Sequence, residues 1–253
     1  MSEKWHEQLI AEFIGTFALV FIGAGSVVVA GPAESELVGV ALAHGVVLAV
    51  MVSVLAHISG AHFNPAVTAA VWVARKIDTV RALLYVATQL LAGLAAAFTL
   101  RWLLPESLWQ PRGAAASLGN TTVNTALGMT EMRAFVLEAL LTFFLVIAVF
   151  GTAVDDRGPF AKTAGLTIGL VLVFDILMGG PLTGASMNPA RSLGPAMATG
   201  DFTSIWVYFA GPISGGVLAA GLYWFVFLWW RERVTVPPSK VPVEATDEEG
   251  LRG

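Results

Sequence analysis

The sequence predicts an all-α membrane protein of six spanning helices and two re-entrant half-helices, folded as an inverted repeat. Three observations carry this. Of its 253 residues 56% are hydrophobic and only 13% charged, and the mean hydropathy is positive, a balance foreign to a soluble domain. Six apolar segments approach or exceed the roughly 20 residues that a helix needs to cross a bilayer core. One short motif occurs twice, as GAHFNPAVT from Gly60 to Thr68 and as GASMNPARS from Gly184 to Ser192.

In chain order the spans fall at 9–30, 36–57, 81–104, 134–154, 162–179 and 205–229. Between the second and third, and between the fifth and sixth, lie Asn64-Pro65-Ala66 and Asn188-Pro189-Ala190. Asn is a preferred helix N-cap and Pro suits the first helical position, so each triplet reads as a helix start inside an apolar region. The pieces at 64–74 and 188–198 are each about 16 Å long, half of a ~30 Å hydrocarbon core. Two such half-helices together make one span.

Internal repetition sets their arrangement. Glu12, Thr16 and Phe17 recur as Glu138, Thr142 and Phe143 at an offset of 126; the triplets recur at 124; Gln89 with Gly93 is matched by Pro212 with Gly216 at 123. A near-constant offset marks a duplicated half, here about 9–104 and 134–229. Each half holds three full spans, an odd number, so the second copy is inverted. Inverted repeats with broken helices place a site at the midplane.

Basic residues orient the chain. Lys4, Arg75, Lys76, Arg81, Arg157, Lys162, Arg231, Arg233, Lys240 and Arg252 fall on one side, against Arg101, Arg112 and Arg133 on the other. Both termini are therefore predicted to be cytoplasmic. Trp5, Trp102, Trp109, Trp206, Trp229 and Trp230 fall near span ends and are expected to anchor at the interfaces. The Gly-, Ala-, Ser- and Thr-rich stretch 105–133 reads as a long outer loop; its Asn120-Thr121-Thr122 sequon, frequent by chance, is given no weight. A single membrane domain is expected over 1–233, followed by a disordered cytoplasmic tail at 234–253 with Pro237-Pro238 and the acids Glu244, Asp247, Glu248 and Glu249. That tail accounts for much of the net charge of −4, and nothing suggests nucleic acid. The N-terminal stretch lacks a basic n-region and a cleavage site, so no signal peptide is read, and a cell membrane is the expected location. The chain has no cysteine, which removes disulfides and thiolate metal sites.

Non-helical backbone inside a membrane must be shielded by protein or line water. The runs before the half-helices, 58–63 and 183–187, would offer carbonyls as a polar stripe for small hydrogen-bonding solutes. If Asn64 and Asn188 cap their own helices, their NH2 groups remain as donors, and two helix N-termini add positive partial charge. A water between them would accept from both and point its hydrogens away, breaking a proton wire. A lone Asn-Pro would be a structural cap; a repeat-related pair points to the pore. Glu12 and Glu138 are read as acceptors for backbone N–H groups of the re-entrant loops rather than as a proton relay, since no intramembrane Lys or His chain accompanies them. Asp175 has no assigned role. His57 and His62 flank the first re-entrant loop without the convergent ligands a metal requires, so no metal or other cofactor is expected. No nucleophile elbow, P-loop or dinucleotide fingerprint is present, and an enzyme is not expected.

The blocks SGAHFNPAVT and GASMNPARSLGP, with AEFIGTF near the start and AGPISGG in the last span, resemble the aquaporin and glycerol-facilitator (major intrinsic protein) family from about Glu12 to Trp230. The resemblance implies a homotetramer with one pore per subunit, passive permeation of water and small neutral solutes, and a filter on the outer side of the triplets. By the family's spacing the filter falls on His44, Ile176, Ala185 and Arg191. An arginine in hydrocarbon costs about 2.5 to 3.5 kcal/mol, so Arg191 should line a cavity or be paired; a purely structural arginine on loop carbonyls is the alternative. His44 stands where strict water pores often carry an aromatic residue and Ile176 where they carry histidine. The set is similar to that of tonoplast intrinsic proteins, which implies passage of ammonia or urea beside water. His44 as a packing residue is the alternative. Ser192 in place of the Asp usual in glycerol specialists, and Tyr208-Phe209, lean toward the water-channel branch. A glycerol-selective facilitator and an inverted-repeat secondary transporter remain as rivals; a transporter would saturate and follow an ion gradient.

Overall fold

The computed structural model of the chain describes residues 5–30, 36–110, 117–155, 157 and 163–229. The tail 234–253, Trp230 and the basic residues Lys4, Arg112, Lys162, Arg231, Arg233, Lys240 and Arg252 lie outside the described residues.

Among the described residues the regular elements are all helical: α1 (Trp5–Ala30), α2 (Leu37–Ser59), α3 (Pro65–Val73), α4 (Thr79–Leu103), α5 (Glu106–Trp109), α6 (Glu131–Val149), α7 (Ala164–Thr183), α8 (Pro189–Thr199) and α9 (Val207–Tyr223). α6 and α9 run on through single π-turns at Phe150–Val154 and Trp224–Leu228. Among the described residues six helices are long and apolar enough to cross a membrane, and α3 and α8 are the half-helices.

Predicted and observed ends differ informatively at α7. The span was expected to end at 179, yet the helix continues through Pro181 to Thr183 and closes on Gly184 at φ 82°. A proline near a helix end forfeits one backbone bond. Here the final carbonyl, on Thr183, accepts from Tyr208 Oη at 2.8 Å. The first half repeats the device, with Tyr85 Oη donating to the carbonyl of Ser59 at 2.8 Å, where α2 ends.

α1 packs on α2 and α4, α6 packs on α7 and α9, and α2 against α7 joins the two halves. α8 lies against α4 so closely that a Cβ on Gly194 would strike the carbonyl of Gly93, and one on Gly93 the carbonyl of Ala190. Small residues are what let membrane helices approach to backbone contact. Outward-facing side chains such as Val38, Leu42, Val46, Val50 and Val54 form an exposed apolar stripe along α2.

The described part of the loop between α4 and α6 includes the short α5 and packs on the bundle. Trp109, expected in the interfacial belt, is instead 9% exposed and packs in a small cluster with Val28 and Leu118. Its indole donates to the carbonyl of Leu104 at 3.1 Å and its ring lies 5.4 Å from the Arg101 guanidinium, so both the polar edge and the face are occupied within the protein. Trp102, near the end of α4, is 82% exposed. Beyond the short α5 the chain dips back into the bundle, burying Leu118, Asn120 and Thr121.

Candidate functional site

Each re-entrant loop leaves its helix through an alternating backbone that only tertiary contacts can hold. Gly60, Ala61 and Phe63 have φ of 90°, 52° and 51°, and their repeat counterparts Gly184, Ala185 and Met187 have 82°, 44° and 53°. Non-glycine residues rarely adopt positive φ. What holds them is a buried carboxylate in each half. Glu12 Oε1 accepts from Ser59 Oγ at 2.7 Å and His62 N at 2.9 Å, while Oε2 accepts from Phe63 N at 2.7 Å and Gln89 Nε2 at 2.8 Å. Glu138 Oε1 accepts from Thr183 Oγ1 at 2.8 Å and Ser186 N at 2.9 Å, and Oε2 from Met187 N at 2.8 Å. Pro212 stands where the first half has Gln89, so Glu138 has no amide counterpart.

Both Asn-Pro-Ala triplets start a helix in the geometry their residue types favour. Asn64 is extended, Pro65 is the first helical residue, and the Asn64 side chain accepts from Ala66 N at 2.8 Å. Asn188 accepts from Ala190 N at 3.0 Å and Arg191 N at 3.4 Å ahead of Pro189. The amide NH2 groups are only partly free. Asn64 Nδ2 donates to the carbonyl of Met187 at 2.8 Å and Asn188 Nδ2 to that of Phe63 at 2.9 Å. One hydrogen of each amide thus ties the two half-helices together, leaving one for the lumen. Ala66 and Ala190 are wholly buried beneath the caps.

A cavity of about 210 Å³ runs past these groups. On α2 it is lined by His44, Leu48, Val52 and Ala56, an i, i+4 stripe about 18 Å long at 1.5 Å per residue. Leu145 and Val149 of α6 and Ile168 and Leu172 of α7 complete an apolar wall, broken by Asn64, Asn188, His62 and Ser186. His44, Ala185 and Arg191 belong to the same lining and Thr152 and Ala153 lie at its other end. Ile176 does not line the cavity. It is 3% exposed, one turn along α7 from Leu172, in the core cluster.

Arg191 is 3% exposed and donates through Nη1 to the carbonyl of Gly119 at 2.5 Å; its Nε has no hydrogen-bond partner among the described residues. His44 Nδ1 lies 2.9 Å from the carbonyl of Val40. A carbonyl can only accept, so Nδ1 carries the proton and Nε2 of a neutral ring is an acceptor. A hydroxyl chain lies behind the arginine, Thr121 Oγ1 to Ser192 Oγ at 2.6 Å and Ser192 Oγ to Ser186 Oγ at 2.6 Å. Asp175 is buried with Oδ2 unpartnered among the described residues. His57 is exposed, while His62 bonds Thr68 Oγ1 at 3.1 Å and meets Tyr85 edge-on. No metal-binding cluster occurs among the described residues.

Gly119 and Tyr85 carried no expectation from the sequence, and the roles of Thr121, noted only within a sequon, and of Tyr208, noted only as a mark of the water-channel branch, were not anticipated. For the tyrosines a signal existed, since they recur at an offset of 123, as Gln89 and Pro212 do.

Six spans, two half-helices meeting cap to cap and a polar-studded cavity between inverted halves define a membrane channel. The chain belongs to the major intrinsic protein family, whose model matches residues 1–223. Members of this family are channels and not enzymes. Similar proteins include Nodulin-26 of Glycine max, 40% identical over 225 residues (88% of this chain, 79% of that one), and Aquaporin TIP2-1 of Arabidopsis thaliana, 40% identical over 233 residues (89% of each). Aquaporin TIP4-4 of Zea mays is 42% identical over 227 residues (87% and 86%). The X-ray structure of the aquaglyceroporin from Plasmodium falciparum superposes with a TM-score of 0.77 at 24% identity, covering 90% of this chain and 99% of that one. At that identity the likeness is one of fold.

Proposed function

We propose that this chain is a passive water pore that also passes ammonia and urea and excludes ions and protons. The observation that carries the proposal is the shared lining: Asn64 and Asn188 in the middle of one cavity, with His44, Ala185 and Arg191 toward one end. Water passage accords with the relatives named aquaporins. The wider solute range rests on the filter chemistry. Arg191 supplies donors, His44 Nε2 an acceptor and Ala185 little bulk, and ammonia and urea both donate and accept. Ile176, outside the lining, leaves that end without a second imidazole.

Cation exclusion follows from a fixed guanidinium charge with no carboxylate among the residues lining the cavity. Proton exclusion follows from the guanidinium charge of Arg191 together with the remaining Nδ2 hydrogens of Asn64 and Asn188, reinforced by the positive ends of α3 and α8. A water oxygen between them accepts from both sides, and its own hydrogens point outward.

The subunit is proposed to assemble as a homotetramer, for which the exposed apolar stripe on α2 is suitable surface, in the cell membrane with both termini cytoplasmic. The excess of Lys and Arg on the terminal side supports the orientation.

Stopped-flow light scattering of proteoliposomes under an inward urea gradient tests the pore. Initial shrinkage faster than in protein-free vesicles reports water, and accelerated reswelling reports urea. Fast shrinkage without faster reswelling rejects the wide filter; no acceleration of either rejects the open pore.

A further inference from the structure

A second concave site lies outside the pore, where α3 hands over to α4. After Val73 the chain reverses through Arg75, at φ 58°, with Arg75 N bonded to the carbonyl of Trp72 at 2.8 Å and Lys76 N to that of Val71 at 3.0 Å. It re-enters the bundle at α4, whose N-cap Asp78 accepts from Arg81 N at 3.0 Å. The turn leaves a cup of about 770 Å³ lined chiefly by Trp72, Arg75, Lys76, Asp78, Thr79 and Arg81.

Three cations face one carboxylate in this cup. Asp78 Oδ2 lies 3.7 Å from Arg81 Nε, too far for a hydrogen bond, and that buried Nε has no hydrogen-bond partner among the described residues. The Arg81 guanidinium sits 5.9 Å from the Trp5 ring centroid, which places the cup on the membrane face where α1 begins. Arg75 and Lys76 are exposed, and their side chains bond to none of the described residues. Directly beside the cup the surface turns apolar: Trp72 and Val73 at the end of α3 are each 44% exposed, and Val80 and Leu83 on α4 are 56% and 66% exposed. Trp72 Nε1 is held by Thr79 Oγ1 at 3.0 Å, which fixes the indole at the boundary.

We propose that this cup binds the phosphate of an anionic phospholipid, with Arg75, Lys76 and Arg81 around the headgroup and an acyl chain laid along Val80 and Leu83. Charge complementarity selects an anion, since the cup holds two cations more than it holds carboxylates. The apolar slope beside it selects a lipid over a free phosphate or an acidic peptide, because Val80 and Leu83 are exposed apolar residues on a helix long and apolar enough to span a membrane. Basic pockets at helix ends on a membrane surface suit such headgroups. The site does not depend on which compartment that surface faces.

The test is native mass spectrometry of the full chain in detergent, titrated with palmitoyl-oleoyl phosphatidylglycerol or with phosphatidylcholine of the same chains. Each basic side chain near an anionic surface is worth about fivefold, so the preference for phosphatidylglycerol should fall about 25-fold in Arg75→Gln/Lys76→Gln. Arg133→Gln, on the opposite membrane face, should leave it unchanged. Thermal unfolding confirms that each variant is folded; Arg75→Lys, which keeps the charge, is the substitute if the double variant is not, and should retain the preference. Equal binding of the two lipids, retention of the preference in the double variant, or its loss in Arg75→Lys overturns the proposal. Displacement of the lipid by millimolar glycerol 3-phosphate also overturns it, since the cup would then be a site for free phosphate.

Discussion

Asn64 and Asn188 do more than cap their own half-helices: each donates Nδ2 to a carbonyl of the opposite loop, Met187 at 2.8 Å and Phe63 at 2.9 Å. The centre of the pore is therefore a reciprocal clasp between the repeats. Asn188→Ala removes a helix cap worth about 1 kcal/mol and leaves the buried carbonyl of Phe63 unpaired, a further cost of about 1 to 3 kcal/mol. Thermal unfolding in detergent should show a destabilisation of about 2 to 4 kcal/mol, and water permeability should fall with it. Asn188→Asp separates the two contributions: it keeps an acceptor for the cap but has no hydrogen for Phe63. Wild-type stability in Asn188→Asp would rule out the clasp as a structural element.

Arg191 bears on selectivity through its charge and on loop placement through Gly119. Arg191→Ala should therefore raise urea permeability several-fold and admit protons, read as urea reswelling and as dye-reported acidification of proteoliposomes. It should also loosen the loop between α4 and α6, because the carbonyl of Gly119 loses its donor. Faster hydrogen exchange at 118–121 would report that loosening. Unchanged urea and proton fluxes would leave Arg191 as a purely structural tie.

His44 is packed over a gap that only glycine provides. A Cβ on Gly23 would come within 2.5 Å of His44 Cδ2 and Nε2. Gly23→Ala should push the imidazole toward the lumen and reduce water and urea permeability several-fold. Gly23→Ala/His44→Ala should restore both, since the clash and the obstruction vanish together. Failure of the second change to rescue would mean that Gly23 acts on α1 packing and not through the histidine.

How far the site was legible depends on whether a residue type carried its own geometry. Asn-Pro encodes a capped helix start wherever it occurs, so α3 and α8 were visible within a residue or two. Glu12 and Glu138 were visible because duplication repeats them at a fixed offset. The same offset marks Tyr85 and Tyr208, but a tyrosine in an apolar run is unremarkable until its hydroxyl is seen on a helix-terminal carbonyl. Gly119 and Thr121 had no such signal. Their path, with Leu118 at φ 49° and Gly119 at φ 68°, is dictated by contacts with Ala24, Ser192 and Arg191 that no local pattern encodes. Ile176 shows the converse limit: spacing along α7 gave its register, while neighbouring side chains decide whether it reaches the lumen.

Beside the Thr152 and Ala153 end of the cavity, Asp155 closes a small latch. It accepts from Arg157 Nε at 2.8 Å and from Tyr223 Oη at 3.1 Å, and the same arginine reaches the carbonyl of Phe227 at 3.1 Å, past the end of α9. Hydrogen bonds from Arg157 hold the Asp155 carboxyl well below the usual carboxylate range despite the opposing effect of burial, with Tyr223 contributing. A carboxyl whose folded pKa lies below its unfolded value, about 3.9, stabilises the fold above that value and loses the contribution as pH falls toward the folded one. Asp155→Asn should therefore cost about 1 kcal/mol at pH 7, a modest figure because Arg157 is itself 42% exposed. The gap in thermal midpoint between wild type and variant should stay constant down to about pH 5 and narrow below pH 4. A gap independent of pH across that range would mean that the charge on Asp155 contributes nothing and that shape alone holds the latch.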